Sequence, residues 1–260
     1  MFDASKFTVP KAKPLPVFLL LDVSGSMGEV VDPENVRRTG QTLVSDGKTW
    51  ELVEGGTTKI QIMNQAVKQV IDTLATEERM ETEFLVSIIV FGDRAEQHLP
   101  PTAASSVKWT DMTANGNTAM GEALKMAKEL IEDKNVVPSR SYRPTVVLVS
   151  DGQPTDEWQV PLESFINDGR SSKCFFMAMG IGEAHGIKVL DRFISKTPVL
   201  AEVNGHVIKN IVFHATEADK IHDFFLKVTM SVTTRSKSQN PNSVPKSTKS
   251  GSSEEDNGYW

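Results

Sequence analysis

Three oxygen-bearing side chains follow an apolar segment near the start of the chain. The run "VFLLL" at positions 17–21 leads directly into "DVSGSMG", which places Asp22, Ser24 and Ser26 at two-residue spacing. Gly25 gives the backbone freedom to turn, so the three side chains can point into one small volume. Their hard oxygen ligands suit Mg²⁺, Ca²⁺ or Mn²⁺ rather than softer metals. Taken alone, the stretch is equally typical of a turn, because Asp, Ser and Gly are common turn formers.

Two further positions supply oxygen atoms at comparable places in the sequence. Asp151 follows the apolar run "VVLVS" as Asp22 follows the first run, and Thr118 lies before an apolar helical segment in "ANGNTAMGEAL". Ligands of parallel sheets bind outside the carboxyl ends of the strands, where these residues are expected. Thr113 is a nearby alternative to Thr118, which is also suited to be a helix N-cap. We therefore predict one metal site, formed by Asp22, Ser24, Ser26, Thr118 and Asp151.

The remaining pattern predicts the elements that bring these residues together. Short apolar runs alternate with segments of helical spacing, which is typical of an α/β fold with a largely parallel sheet. Helices are predicted at 58–75, 119–132, around 158–166, at 187–195 and from Thr216 onwards, where Thr216 and Asp219 form a capping box. Strands are predicted at 17–21 and 84–92, in the apolar segments at 144–152 and 173–182, and within 198–213, with a short edge strand at 95–100. We predict a doubly wound, mainly parallel sheet with one antiparallel edge strand and helices on both faces.

The domain organisation follows from the segments that break this alternation. Residues 14–232 are predicted to form one domain, preceded by an extension at 1–13. Asp46 and Gly47 lie between two extended runs, which predicts a β-hairpin insert at 40–55. The segment 235–260 is rich in Ser, Asn, Lys and Pro, and we predict that it is a disordered tail.

The predicted site resembles the metal-ion-dependent adhesion site of von Willebrand factor A domains. That family has Asp-x-Ser-x-Ser after its first strand, a Thr in a second loop and an Asp after a later central strand, and the five residues above match in this order. The resemblance implies that Ser24, Ser26 and Thr118 contact a divalent ion directly and that Asp22 and Asp151 hold coordinated waters. It further implies an open coordination position that a partner protein's Asp or Glu fills.

A narrower resemblance concerns the subfamily. The segments "LPVFLLLDVSGSM", "LVSDGQPTDEW" and "KIHDFFLKVTMSV" are similar to the TerY-like proteins of bacterial tellurite resistance. This implies a role in a bacterial chemical-stress or phage-defence system. The 40–55 insert departs from the short loop usual in that group, so the resemblance does not identify the specific partner of this protein.

Composition excludes several classes of protein. The formal net charge of −6 and the absence of a Lys/Arg block argue against binding to nucleic acid. No apolar run approaches the ~18 residues of a membrane span, and no signal peptide is apparent at the start. The single Cys174 cannot form a disulfide within the chain. We therefore expect a cytoplasmic protein that binds neither nucleic acid nor membranes.

Several alternative interpretations stay open at this stage. The oxygen cluster could serve a metal-dependent phosphatase or hydrolase, although we expect no enzyme, or it could brace a self-assembling structural subunit. The insert, with Trp50 near its tip, either leans over the metal edge or is an inert surface hairpin. The terminal "SSEEDNGYW" is either a solvated tail or a ligand for a second copy, which would give self-association. Asp156 and Glu157 are interpreted as first-turn acids of the third helix.

Overall fold

The computed structural model describes residues 12–45, 48–78, 82–182, 187–195, 202–203, 206–207, 212–215, 218–238 and 241–242. Its strands are β1 (Lys13–Asp22), β2 (Val36–Ser45), β3 (Lys48–Gly55), β4 (Thr82–Phe91), β5 (Ala95–Ala103), β6 (Thr145–Ser150), β7 (Phe175–Ile181), β8 (Glu202–Val203), β9 (His206–Val207) and β10 (Phe213–Ala215). Its α-helices are α1 (Lys59–Glu77), α2 (Met120–Glu132), α3 (Gln159–Asn167), α4 (Ile187–Ile194) and α5 (Ala218–Ser236).

A six-stranded sheet with the order β10-β7-β6-β1-β4-β5 forms the centre of the domain. Every neighbouring pair is parallel except β4 and β5, which are antiparallel. The antiparallel strand β5 lies at the edge of the sheet and contains Pro100 and Pro101, which have no backbone N–H to donate. Proline is tolerated in an edge strand because one side of that strand has no neighbouring strand to bond with. These observations confirm the predicted fold class.

The apolar runs of the sequence form strands because both faces of the sheet are covered by helices. In β1, Leu19 and Leu21 belong to the core under α1 and α5, whereas Phe18 and Leu20 belong to the core under α2, α3 and α4. A strand buried on both faces has no need of alternating polar residues. The short run "VFLLL" is thus the middle of the central strand rather than a helix.

The insert between β1 and α1 is a two-stranded antiparallel hairpin, β2 paired with β3. It begins at Val36, four residues before the predicted position, and it ends at Gly55 as predicted. Asp46 and Gly47, on which that prediction rested, lie outside the described residues. Leu43 and Val44 have 55% and 72% of their surface exposed, so the hairpin presents apolar side chains to solvent.

The end of α5 is structured beyond the point where the tail was predicted to begin. Arg235 has only 8% of its surface exposed, and its guanidinium donates to Thr145 Oγ1 at 2.7 Å and to the Arg143 carbonyl at 2.7 Å. Its plane also lies 3.7 Å from the centre of the Phe175 ring. Asn242 is buried and accepts a hydrogen bond from Arg143 N at 2.8 Å. The tail prediction is therefore wrong for these residues, whereas 243–260 lies outside the described part of the chain.

Two other sequence features also fall outside the described residues. The extension at 1–13 is described only from residue 12, and Lys13 is already the first residue of β1. The capping position Thr216 is not described. No helix in the described ranges has both the length and the apolar character needed to cross a membrane.

Candidate metal centre

The site is formed where β1 and β6 end side by side. The two strands are parallel neighbours, with Leu21 opposite Val149, so Asp22 and Ser150 leave the sheet together and Asp151 follows. The loop before α2 reaches the same edge, because Gly25 N donates to the Gly116 carbonyl at 2.8 Å and Asn115 N donates to the Val23 carbonyl at 2.7 Å. The predicted loops therefore meet at one edge of the sheet.

Asp22 lies underneath the site rather than at its surface. The side chain is fully buried, and its two oxygens accept hydrogen bonds from Ser24 N at 2.8 Å and from Ser150 Oγ at 2.6 Å. The first bond shapes the turn that carries Ser24 and Ser26 outwards. Burial, and to a smaller extent the negative charge of Asp151, raise the pKa of Asp22 to about 7. The hydrogen bonds from Ser150 and Ser24 act in the opposite direction but are outweighed.

Ser24, Ser26 and Asp151 form a connected row of oxygen atoms across the two strand ends. Ser24 Oγ lies 3.0 Å from Ser26 Oγ, and Ser26 Oγ donates to Asp151 Oδ1 at 2.7 Å. Ser24 is buried and Ser26 is half-buried, and a short 3₁₀ turn over Gly25–Gly28 holds Ser26 in place. Four of the predicted residues, including Asp22 below, are thus brought into one cluster.

Thr118 approaches this cluster from the third loop. Its side chain is buried, and a Cβ atom placed on Gly152 would lie 3.9 Å from Thr118 Oγ1. Thr155 fixes the backbone of this residue, since Thr118 N donates to Thr155 Oγ1 and the Thr118 carbonyl accepts from Thr155 N, each at 3.0 Å. The Thr118 hydroxyl is thus next to the residue that follows Asp151. The alternative, Thr113, is exposed and lines a neighbouring cavity.

The interpretation of Asp156 and Glu157 as first-turn acids of the third helix is wrong, because both precede α3 and its first turn contains no acidic residue. Asp156 precedes α3, and its two oxygens accept hydrogen bonds from Gly121 N and Glu122 N at the start of α2, each at 3.0 Å. This carboxylate therefore takes the place of the N-cap side chain that we considered for Thr118. A Cβ on Gly121 would lie 2.5 Å from the Glu157 carbonyl, so only glycine allows the two loops to approach this closely.

Lys59 is a member of the cluster that sequence reasoning missed. Its Nζ donates to Asp151 Oδ2 at 2.9 Å and also to the Glu29 carboxylate. Burial lowers the pKa of Lys59, but the carboxylates of Asp151 and Glu29 outweigh that effect and raise it overall. A signal was present in Thr58-x-x-Gln61, a capping box that places Lys59 at the first position of α1.

A cavity of about 380 Å³ opens next to these loops. Val23 and Asn115, which connect the first and second loops of the site, line one part of it, and Asp93, Arg94 and His98 line another. The recess is therefore polar, and it lies directly beside the residues that follow β1.

The residues present fit a hard divalent cation. The cluster combines two carboxylates with three hydroxyl groups, and the charge of Asp151 disfavours a second negative charge on Asp22. A cation between these groups would relieve that repulsion. In the ranges that the structure describes, no group of three or more His, Cys, Asp and Glu side chains is placed to hold a metal ion, so the candidate donors are the hydroxyl and carboxylate oxygens of this cluster.

Comparison with known proteins agrees with this architecture. Residues 17–153, just over half of the chain, match a sequence model of the von Willebrand factor type A domain. The chain belongs to the von Willebrand factor type A family. No curated protein matches it.

Several solved structures have the same fold at low sequence identity. A von Willebrand factor type A protein from Catenulispora acidiphila is 20% identical, with a TM-score of 0.55 over 85% of this chain and 43% of that protein. Proximal thread matrix protein 1 from the mussel byssus, described with a zinc-occupied adhesion-site motif, is 15% identical with a TM-score of 0.54, over 85% and 48%. The ArnB paralog VWA2 from Sulfolobus acidocaldarius is 12% identical with a TM-score of 0.51, over 86% and 46%. This chain therefore spans less than half of each of these three proteins.

The raised pKa of Asp22 leads to a prediction about stability without metal. The unfolded carboxyl loses its proton near pH 4 and the folded one near pH 7, so the contribution of Asp22 to stability falls as pH rises through this window. Asp22→Asn removes this loss and keeps an acceptor for Ser24 N. In a chelating buffer we expect the unfolding free energy of Asp22→Asn to rise relative to that of the wild type by on the order of 4 kcal/mol between pH 4 and pH 7.

Urea unfolding of both proteins in EDTA across this pH range measures the difference. Parallel pH profiles for the wild type and Asp22→Asn would show that Asp22 ionises normally in the folded protein.

Proposed function

We propose that this protein is a metal-dependent, non-catalytic protein-interaction module. The observation that carries the proposal is the continuous row Ser24, Ser26 and Asp151, joined at 3.0 and 2.7 Å across two strand ends with Asp22 beneath it. In this proposal Ser24, Ser26 and Thr118 hold a divalent cation directly, and Asp22 and Asp151 hold it through water. The cation supplies a positively charged coordination position for a partner's ligand.

Magnesium is the cation we propose, with calcium and manganese as alternatives. Hydroxyl and carboxylate oxygens are the ligands that these hard ions prefer. The zinc-occupied motif of the mussel protein supports divalent-ion binding by this fold, although that protein is only 15% identical to this chain.

The proposed partner is a protein that offers an Asp or Glu side chain to the cation. The polar recess of about 380 Å³ beside Val23 provides room for neighbouring partner residues. In this proposal the β2–β3 hairpin is a second contact surface for the partner. The hairpin begins shortly after the metal loop and ends just before α1. Its base is fixed there by the bridge between Val30 and Thr58 and by a 2.6 Å hydrogen bond from Thr57 N to Asp32 Oδ1.

The biological setting is part of the proposal as well. The similarity of three sequence segments to TerY-like proteins supports a role in a bacterial tellurite, chemical-stress or phage-defence system. Location in the cytoplasm and self-association through the C-terminal tail stay predictions from the sequence.

Loss of the oxygen row is expected to abolish cation binding. Asp151→Ala and Ser26→Ala each remove one link of the row, and we expect at least a tenfold loss of Mg²⁺ affinity, measured by calorimetry. Asp72→Ala, which removes an exposed carboxylate from α1, serves as the matched control and should bind like the wild type. Wild-type Mg²⁺ affinity in both row variants would overturn the proposed site.

The partner's role is tested with the protein that co-purifies with the wild type in Mg²⁺ and is released by EDTA. Replacing the critical Asp or Glu of that partner by Asn or Gln should abolish binding to the wild-type module. Undiminished binding after every acidic residue in its contact region has been neutralised would contradict the proposed recognition.

The exposed hairpin residues should affect partner capture without affecting the cation. The double variant Leu43→Ser/Val44→Ser removes exposed apolar surface from the hairpin, and we expect about a tenfold weaker partner affinity with Mg²⁺ affinity unchanged. Met230→Ser, an exposed position on α5, is the control. Equal partner affinity in the hairpin variant, measured by surface plasmon resonance, would exclude the hairpin from the interface.

The absence of catalysis is a separate expectation. Purified protein incubated with a generic phosphate ester should show no turnover in Mg²⁺ or Mn²⁺ above the chelated control. Metal-dependent turnover that disappears in Asp151→Ala would replace the interaction role with a phosphatase or hydrolase.

A further inference from the structure

The candidate metal centre contains a cation that belongs to the protein itself. Lys59 Nζ lies 2.9 Å from Asp151 Oδ2 and also contacts the carboxylate of Glu29. The exposed fraction of the side chain is 12% for Lys59 and 1% for Asp151, so this ion pair is shielded from solvent. Shielded pairs interact far more strongly than surface pairs.

The position of Lys59 is fixed by the start of α1 and not only by its ion pairs. Thr58 and Gln61 form a capping box around the first turn, and Lys59 N donates to the Glu29 carbonyl at 3.0 Å. A lysine at this end of a helix is unfavourable, because the helix dipole is positive there. Lys59 therefore departs from the usual preference for acidic residues in the first turn of a helix. Such departures are expected mainly at functional sites.

Asp151 has both of its oxygens engaged in this arrangement. Oδ1 accepts from Ser26 Oγ at 2.7 Å, and Oδ2 accepts from Lys59 Nζ. A divalent cation that uses the charge of Asp151, directly or through water, meets a positive charge already paired with the same carboxylate. Metal and ammonium therefore compete for one buried negative charge.

We propose that Lys59 is a built-in competitor that weakens divalent-cation binding and replaces the cation in the metal-free protein. This inference rests on the proposed function, and it adds a residue that sets the affinity of the site. It leads to two opposite effects of removing the ammonium. Metal binding becomes tighter because the competitor is gone, whereas the metal-free protein becomes less stable because Asp151 and Glu29 lose their counter-charge.

The experiment compares Lys59→Met with the wild type and with Lys68→Met, an exposed lysine of the same helix. Mn²⁺ is the probe, and its binding is followed by the electron paramagnetic resonance signal of the free ion. We expect at least tenfold tighter Mn²⁺ binding by Lys59→Met, together with a lower midpoint of thermal unfolding in EDTA. Lys68→Met should match the wild type in both measurements.

A second variant, Lys59→Gln, covers the case in which Lys59→Met does not fold without metal. Glutamine is neutral but can still donate a hydrogen bond to Asp151, and we expect the same two changes with a smaller loss of stability. A residue with a purely structural role would give weaker Mn²⁺ binding and lower stability together.

The failure of this inference can be told apart from failure of the proposed function. If the wild type binds Mn²⁺ and loses it in Asp151→Ala, but the Lys59 variants bind no more tightly, the competition is overturned and the metal site stands. If the wild type binds no Mn²⁺, both are overturned.

Discussion

The negative charge held by Asp22 and Asp151 is the constraint on which this edge of the sheet depends. Pairing of β1 with β6 places the two carboxylates at adjacent strand ends, and burial makes their repulsion costly. Ser24 N and the Ser150 hydroxyl stabilise Asp22, while Ser26 and Lys59 stabilise Asp151. The groups that stabilise these two negative charges therefore come from three segments: the turn after β1, the start of α1 and the end of β6.

The fold and four of the five candidate residues were accessible from the sequence because they follow from strand ends, whereas Thr118 was identified by its place before an apolar helical segment and by the family motif. Apolar runs such as "VFLLL" indicate strands buried on two faces, and in a parallel sheet the residue after each run lies at a common edge. The contacts of Asp156 and Lys59 were not accessible. Asp156 caps a helix that begins 36 residues before it in the sequence, and Lys59 contacts a carboxylate 92 positions away. Such pairings are chosen by tertiary packing.

The hairpin and the end of α5 show why segment boundaries were less predictable than elements. Composition suggested that the chain after 235 lacks a packed structure, yet Arg235 is buried against Phe175 and bonded to Thr145. A guanidinium that stacks on an aromatic ring can be buried when neutral oxygen atoms accept its hydrogen bonds. The local sequence around Arg235 contains no pattern that predicts this burial. Val36 likewise joins the hairpin because Gly55 pairs with it across the ladder.

Lys59 changes how the similarity to the family is interpreted. The five matching residues alone describe a site that offers two carboxylates and three hydroxyls to an ion. With the ammonium included, the negative charge available to that ion is reduced, and part of it is used inside the protein. Lys59 N is also bonded to the Glu29 carbonyl, so the backbone and the ammonium of Lys59 both contact Glu29, which lies between the turn that carries Ser26 and the hairpin. Lys59 therefore belongs both to the charge balance of the site and to the packing of the segment between β1 and α1.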